Sequence, residues 1–201
     1  MPIDTRKSAY AKVTFPTRCQ WTGGFLLDRF QITAKAAIPH ILEIFDDSDS
    51  FFHEVENFRI AAGTAEGEFR GNPYGDGDFY KLLEGMACAG LPQEQLEAYF
   101  QLIAKAQQPD GYLSTKQIIG ERVSNGITRH SDVDDFEEYN FGHLFTAACV
   151  IARETGSHTM LDVAARAGDY LEAYYARALA GESAHTAVCP SHYMGLADMY
   201  R

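Results

Sequence analysis

Apolar residues recur at the helical spacing of three to four positions along most of this 201-residue chain, and this periodicity constrains its fold more than any other feature. Between residues 92 and 107, for example, Leu96, Phe100 and Ile103 fall on one face of a helix. Such a helix has to bury its apolar stripe, and consecutive helices bury these stripes against each other. The pattern therefore predicts an all-α fold built from antiparallel helix pairs.

Turn-forming residues divide the chain into seven predicted helices. Pro39 is expected to kink or split the first helix, and Asp78 is expected to cap the start of the third. Residues 66–77 and the polar stretch 112–134 are predicted loops, and a loop as long as the second is usually functional. Residues 1–28 are predicted to be an extended or loop segment, with a β-like patch from Val13 to Phe15, and residues 29–201 to be the helical domain. The predicted helices span residues 29–46, 50–62, 79–89, 92–107, 135–154, 159–178 and about 190–201.

The excess of acidic residues argues against polyanionic binding partners. Lys and Arg number 17 against 28 Asp and Glu, which gives a formal net charge of −11. Nucleic acid and anionic membrane surfaces would repel such a chain, so neither is expected as a partner. The N-terminus carries no apolar signal-peptide core, no stretch reaches the roughly 20 apolar residues of a membrane span, and the four cysteines form no CxxC pair. A cytoplasmic protein is therefore predicted.

Several well-known catalytic motifs are missing from the sequence. It contains no HExxH, GxSxG, GxGxxG or P-loop motif, which argues against zincins, serine hydrolases and nucleotide enzymes. His185, Cys189 and His192 have a spacing that zinc can use, but nothing nearby supplies a fourth ligand. A metal site formed by this chain alone is therefore not expected.

A polar helix start is the main candidate for a binding site. Acidic residues are dense at the start of the predicted helix 135–154, where the helix dipole by itself favours them. Glu137, Asn140 and His143 follow each other at intervals of three residues, beside Tyr139, in an otherwise apolar helix. Burying these groups without partners would be costly. We therefore predict that this helix start lines a polar pocket.

Six segments in order along the chain resemble glycoside hydrolase family 127. The Pro-Asp-Gly-Tyr-Leu run alone is common to many α/α toroid enzymes, so the resemblance depends on the whole ordered set, which covers most of residues 39–201. Ile41, Leu82 and Asn140 depart from the family pattern, in which a glutamine, a tryptophan and a cysteine are expected at these positions. The segments are 56–63 (ENFRIAAG), 67–69 (GEF), 76–84 (DGDFYKLLE), 106–113 (AQQPDGYL), 137–144 (EEYNFGHL) and 191–201 (SHYMGLADMYR).

The resemblance implies a toroid of six αα-hairpins that hydrolyses a β-L-arabinofuranoside, or a related sugar, with retention. This chain would then be the N-terminal part, about half, of an (α/α)6 toroid. The family's cysteine nucleophile, its acid/base glutamate and the zinc that it binds are expected in a later segment, so no catalytic residue is assigned here. His143 and His192 match family positions that bind the sugar, Asp78 and Tyr112 match positions near the pocket, and Glu137 lies on the predicted pocket helix.

The sequence leaves two alternatives to the interpretation as part of a glycosidase. The first is a non-catalytic carbohydrate-binding module that completes its toroid as a homo-oligomer. The second is an intact short enzyme that uses the carboxylates of residues 132–138. It is less favoured, because an open half-toroid leaves the pocket in water, where electrostatic stabilisation of a transition state is weaker.

Overall fold

The computed structural model describes residues 21–186 and 188–201, and the predicted β-like patch from Val13 to Phe15 lies outside them. Regular structure in the described ranges is helical, without a β-strand, as the apolar periodicity predicts. Over the same ranges no helix combines the length and apolar character needed to cross a membrane. The helices are α1 Phe25–Ile32, α2 Ile38–Asp46, α3 Glu54–Ala61, α4 Gly75–Cys88, α5 Gln93–Ala106, α6 Thr115–Val123, α7 Glu137–Thr155, α8 Thr159–Leu179 and α9 His192–Tyr200.

The first predicted helix is present but starts four residues before Arg29, so α1 overlaps the segment 1–28 that was predicted to be extended or loop. A π-helical turn, Thr33–Ala37, joins α1 to α2 without a break. Pro39 lies in the first turn of α2, where a backbone N–H is not needed. The wider π turn before it relieves the crowding that a proline ring causes with the carbonyl four residues earlier. Pro39 therefore changes the helix type instead of ending the helix.

The predicted helices 92–107, 135–154 and 159–178 are confirmed to within two residues at each end, as α5, α7 and α8. Their ends carry local signals that a sequence shows directly. Gly156, for example, ends α7 with a φ of 75°, and its N–H donates to the Ala152 carbonyl at 2.9 Å. A left-handed residue of this kind favours glycine, which explains the predicted stop.

The predicted cap at Asp78 is wrong. Helix α4 begins at Gly75, and Asp78 lies in its first turn, paired with Lys81. The early turn is stabilised from a distance, because the Asn140 side chain of α7 accepts a hydrogen bond from the Gly77 N–H at 3.0 Å. A long-range cap of this kind leaves no local pattern in the sequence.

Residues 112–134 are not the continuous irregular loop that was predicted. They contain α6 and the start of a short 3-10 turn, Val133–Asp135. The buried face of α6 carries Thr115 and Gln117 beside Ile118, so its apolar periodicity is weak. Their polar groups bond to Asp76 and Asp135, which lie on other elements. Tertiary hydrogen bonds therefore replace the apolar stripe that sequence periodicity detects.

Helices α4, α7 and α9 lie side by side, and their N-termini point to the same end of the molecule. Helix α7 also packs on α8, and α8 packs on α5, which places α5 and α8 in a second layer. The core between the layers is rich in fully buried aromatic rings: Phe58, Phe79, Phe100, Phe141 and Phe145.

Gly142 and Gly195 let α7 and α9 approach each other closely. A Cβ atom at Gly142 would lie 2.3 Å from the Ser191 carbonyl carbon and 2.5 Å from the His192 nitrogen. A Cβ atom at Gly195 would lie 2.5 Å from the Gly142 carbonyl oxygen. This contact brings the start of α9, and with it His192, onto the second turn of α7.

Candidate functional site

The first turns of α4 and α7 are joined by Asn140, which is fully buried. Its side-chain oxygen accepts from the Gly77 N–H, and its amide nitrogen donates to the Pro73 carbonyl at 2.8 Å. Gly77 is needed here because a Cβ atom would lie only 2.8 Å from the Asn140 oxygen. Asn140 was predicted to line a polar pocket, and this is wrong: its polar groups bond to the backbone before and at the start of α4.

A half-buried polar cluster lies where α4 and α7 meet. Lys81 pairs with Asp78 at 2.7 Å and donates to the Tyr139 hydroxyl at 2.9 Å. The edge of the Tyr139 ring contacts His143, with 4.4 Å between ring centroids. Burial, with the positive charge of Lys81, lowers the pKa of His143 below its usual value, so the ring is neutral at pH 7. A neutral imidazole offers one donor and one acceptor, a combination that can pair with sugar hydroxyls.

Glu137 begins α7 and is held at both carboxylate oxygens. One oxygen accepts from the Tyr112 hydroxyl, and the other accepts from the His130 backbone N–H at 2.8 Å. Burial raises the pKa of Glu137 to about 7, although the nearby His130 and the two hydrogen bonds oppose that rise. The Tyr112 pKa lies well above its usual value because the hydroxyl is buried, so the phenol keeps its proton. Tyr112 can therefore donate to Glu137 throughout the physiological range.

Tyr112 and Glu137 lie beneath the surface of the described structure. Tyr112 is 0% exposed and Glu137 is 2% exposed. The Arg129 guanidinium covers the Tyr112 ring at 4.1 Å and pairs with Asp110 at 2.6 Å. In these contacts the Tyr112–Glu137 pair stabilises the start of α7. Sugar binding by these two residues stays a prediction.

His192 begins α9 and is fully buried between aromatic rings. Its Nε2 atom lies 3.3 Å from the Tyr175 hydroxyl, and the two rings stack with an angle of 18°. Its Nδ1 atom has no hydrogen-bond partner among the described residues. Burial lowers the pKa of His192, and the negative charge of Glu138 opposes that effect. The ring therefore keeps one unused hydrogen-bonding position.

The structure places the five predicted site residues in three groups around the first two turns of α7. His143 and Asp78 share one cluster, and Asp78 partly offsets the lowered pKa of His143. Tyr112 and Glu137 are bonded to each other, and His192 lies against Gly142 on a further face of the same helix. The starts of α4, α7 and α9 thus carry polar groups at the same end of three parallel helices.

Sequence reasoning missed one residue of this region, His130. Its ring bonds to Glu138 at 2.9 Å and to the Tyr170 hydroxyl at 3.0 Å, so it connects the start of α7 with α8. Its φ is positive, at 52°, and no local sequence pattern predicts this backbone conformation. The only hint in the sequence was its position in a long polar stretch, where histidine is unremarkable.

The residues described here do not fit the zinc ion that the sequence resemblance implies. Within residues 21–186 and 188–201, no group of three or more His, Cys, Asp and Glu side chains is placed to hold a metal ion. His192, one of the three residues whose spacing zinc could use, is stacked on Tyr175 and bonded to its hydroxyl. Zinc in the complete enzyme stays a prediction.

The family model described as "Beta-L-arabinofuranosidase, GH127 catalytic domain" matches residues 18–201 of this chain. A curated relative, the non-reducing end β-L-arabinofuranosidase of Bifidobacterium longum subsp. longum, is 38% identical over 135 residues. That match covers 64% of this chain and 20% of the relative.

Solved structures give the same assignment for the fold. A GH127 β-L-arabinofuranosidase from Geobacillus stearothermophilus T6 superposes with a TM-score of 0.79 at 29% identity, over 92% of this chain and 30% of that one. A second GH127 β-arabinofuranosidase is 24% identical and superposes with a TM-score of 0.72, over 90% of this chain and 30% of that one. At this identity the superposition supports the fold alone. The prediction of an all-helical portion of an α/α toroid is confirmed, and its place at the N-terminal end stays a prediction. The chain spans less than a third of the length of these relatives.

Proposed function

The chain belongs to the GH127 β-L-arabinofuranosidase family, and from this membership we propose that its protein hydrolyses β-L-arabinofuranosides with retention of configuration. Within that enzyme, this chain is proposed to supply part of the sugar-binding wall. The cysteine nucleophile and acid/base glutamate of the family are proposed to come from a part of the protein outside these 201 residues. A cytoplasmic location and a homo-oligomer stay predictions.

One observation supports the sugar-binding role above the others. His143 and His192 lie on neighbouring parallel helices, each with a lowered pKa that favours the neutral ring. Uncharged imidazoles can donate to one hydroxyl and accept from another, which suits an uncharged sugar. The partly exposed Asp78–Lys81 pair beside His143 adds a carboxylate acceptor and the one N–H of Lys81 that is not given to Asp78 or Tyr139. Retaining hydrolysis also needs a nucleophile close to the anomeric carbon, and binding groups of this kind hold the sugar in that position.

Binding by this chain is tested by titrating it with L-arabinose and with methyl β-L-arabinofuranoside, while the histidine ring resonances are followed by NMR. We expect the His143 and His192 signals to shift and the His40 signal to stay in place, because the His40 side chain is 73% exposed and lies next to Glu43 on α2, not at the starts of α4, α7 and α9. His143→Gln should weaken binding about tenfold or more, the scale of one lost hydrogen bond to a sugar hydroxyl. His40→Gln is the matched control.

Hydrolysis is tested on the protein that contains this chain together with the remainder of the family domain. The expected result is release of arabinose from p-nitrophenyl β-L-arabinofuranoside, with the β-anomer formed first, and no release from the α-L-anomer. Sugar binding without turnover in that complete protein would instead favour the non-catalytic carbohydrate-binding module. Absence of both binding and turnover would refute the proposal.

A further inference from the structure

His130 contacts both carboxylates of the first turn of α7. Its backbone N–H donates to Glu137 at 2.8 Å, and its ring Nδ1 lies 2.9 Å from a Glu138 oxygen. The other ring nitrogen, Nε2, lies 3.0 Å from the Tyr170 hydroxyl of α8. The His130 side chain is only 6% exposed. A single buried residue thus connects α7 and α8 through three polar contacts.

The backbone and the ring of His130 are both held in place. Its φ of 52° is in the left-handed region, which histidine enters more readily than most residues. This conformation directs the N–H and the ring toward neighbouring carboxylates. The ring stacks on Tyr174 with 3.8 Å between centroids and an angle of 17°. Stacking fixes the ring plane, and the two edge contacts fix its rotation.

The partners determine where the ring proton lies. A carboxylate can only accept, so Nδ1 carries a hydrogen and donates to Glu138. Burial raises the pKa of Tyr170 to about 12, so this phenol keeps its proton and can donate to Nε2. The His130 ring therefore serves both contacts at once, one at each nitrogen. The Glu138 carboxyl, which is 4% exposed, is held in place by this bond.

Glu138 lies on the face of α7 that α9 covers. Gly142 follows Glu138 by four residues on this face, and the His192 backbone lies directly against Gly142. The Glu138 charge raises the pKa of His192 against the effect of burial. Among the residues that the structure describes, the titratable groups in contact with the His192 ring are phenols: Tyr175 on α8 and Tyr193 on α9. Glu138 is therefore the charged group that sets the local field at His192.

We propose that His130 is a positioning residue, whose ring holds the Glu138 carboxylate on the face of α7 that α9 covers and so controls the charge of the His192 ring. The sugar-binding consequence of this control rests on the proposed function, whereas the control itself does not. A residue that only filled space between α7 and α8 would have no such effect on His192.

Two substitutions at His130 separate these roles. The amide nitrogen of His130→Asn occupies the place of Nδ1 and keeps the donor to Glu138, and asparagine also tolerates a positive φ. The longer amide of His130→Gln reaches the place of Nε2 and keeps the Tyr170 contact, but loses the donor to Glu138. Both remove the imidazole ring and its stacking on Tyr174, so a purely structural role predicts equal effects.

The readout is the titration midpoint of the His192 ring, measured by histidine ring NMR on the full 201-residue chain and assigned with His192→Gln. Glu138→Gln should lower this midpoint by roughly one pH unit, the scale of one neighbouring opposite charge. His130→Gln should lower it in the same direction, and His130→Asn should keep it near the wild-type value. Equal midpoints for the two His130 variants would overturn the proposal.

Glu138→Gln keeps the test decisive if His130→Gln fails to fold, because it is isosteric and its amide oxygen can still accept from Nδ1. Its matched control is Glu137→Gln, one residue earlier and bonded to the same His130, which should leave the His192 midpoint unchanged. An unchanged midpoint in Glu138→Gln, or the same fall in both variants, would refute the role of Glu138 and with it the proposal. None of these measurements uses a sugar, so their failure is distinct from a failure of the proposed function.

Discussion

Gly142→Ala should destabilise this protein, although alanine is the better helix former. The added Cβ atom would lie 2.3 Å from the carbonyl carbon of Ser191 and 2.5 Å from the nitrogen of His192. Both atoms belong to the backbone, so no side-chain rotation can relieve the contact. Ordinary van der Waals contact begins at 3.4 Å, which requires the start of α9 to move by about 1 Å.

The magnitude follows from two opposing effects. Replacing glycine inside a helix by alanine stabilises by about 1 kcal/mol. Overpacking a close contact costs about 1–3 kcal/mol, and a backbone clash belongs at the upper end of that range because only α9 as a whole can move. We therefore expect Gly142→Ala to lower the free energy of unfolding by about 2 kcal/mol.

Gly168→Ala on α8 is the matched control, since a Cβ atom there meets nothing within 4 Å. It should gain up to about 1 kcal/mol from helix propensity alone. The free energies are measured by urea denaturation followed by circular dichroism, with the denaturant slope checked for a common unfolding transition. Equal changes of the same sign in the two variants would show that α9 does not pack on Gly142 as described.

Three further substitutions test buried polar groups. Burial raises the pKa of Glu54 from 4.5 to about 7, so the native state keeps a proton that the unfolded chain releases, and the free energy of unfolding should fall as pH rises through that window. Glu54→Gln should flatten this fall in urea denaturation from pH 4 to 8, and an unchanged slope would contradict the assignment. Thr115→Val removes the hydroxyl that donates to Asp76 at 2.6 Å and should cost about 1–3 kcal/mol, whereas Thr115→Ser should restore most of that stability; equal losses would refute the role of the hydroxyl. Asn140→Ala leaves the Gly77 N–H without its acceptor and should cost about 1–3 kcal/mol more than Asn125→Ala in an exposed turn, as measured by thermal unfolding.

The helices that could be predicted are those whose signals are local. The apolar stripe of α5 and the glycine after α7 lie within a few residues of the structure that they specify. The helix and the helix start that were not predicted depend on partners far away in the sequence. Helix α6 is held by Asp76 and Asp135, and the start of α4 is capped by Asn140, 63 residues after Gly77.

In the candidate site, too, the residues with a local sequence signal were predicted and the one without such a signal was not. His143 and His192 were found because the motifs around them resemble a family, and the structure places both near the N-terminal ends of parallel helices. His130 could not be found, because its importance comes from three contacts to α7 and α8 and from a left-handed backbone. A histidine in a polar loop has the same local sequence pattern whether or not these contacts form.

The sequence alone determined the all-α class, most of the helices and the family, because periodicity, turn residues and motif order are properties of neighbouring positions. The three-dimensional contacts were needed to show which buried polar groups are satisfied by a neighbouring helix and which keep an unused hydrogen-bonding position. Asn140 was predicted to line a pocket and instead caps α4, whereas the buried His192 keeps a ring nitrogen without a partner in the described ranges. The physical reason is that a buried polar group is placed by its hydrogen-bond partner, and these partners come from helices far apart in the chain.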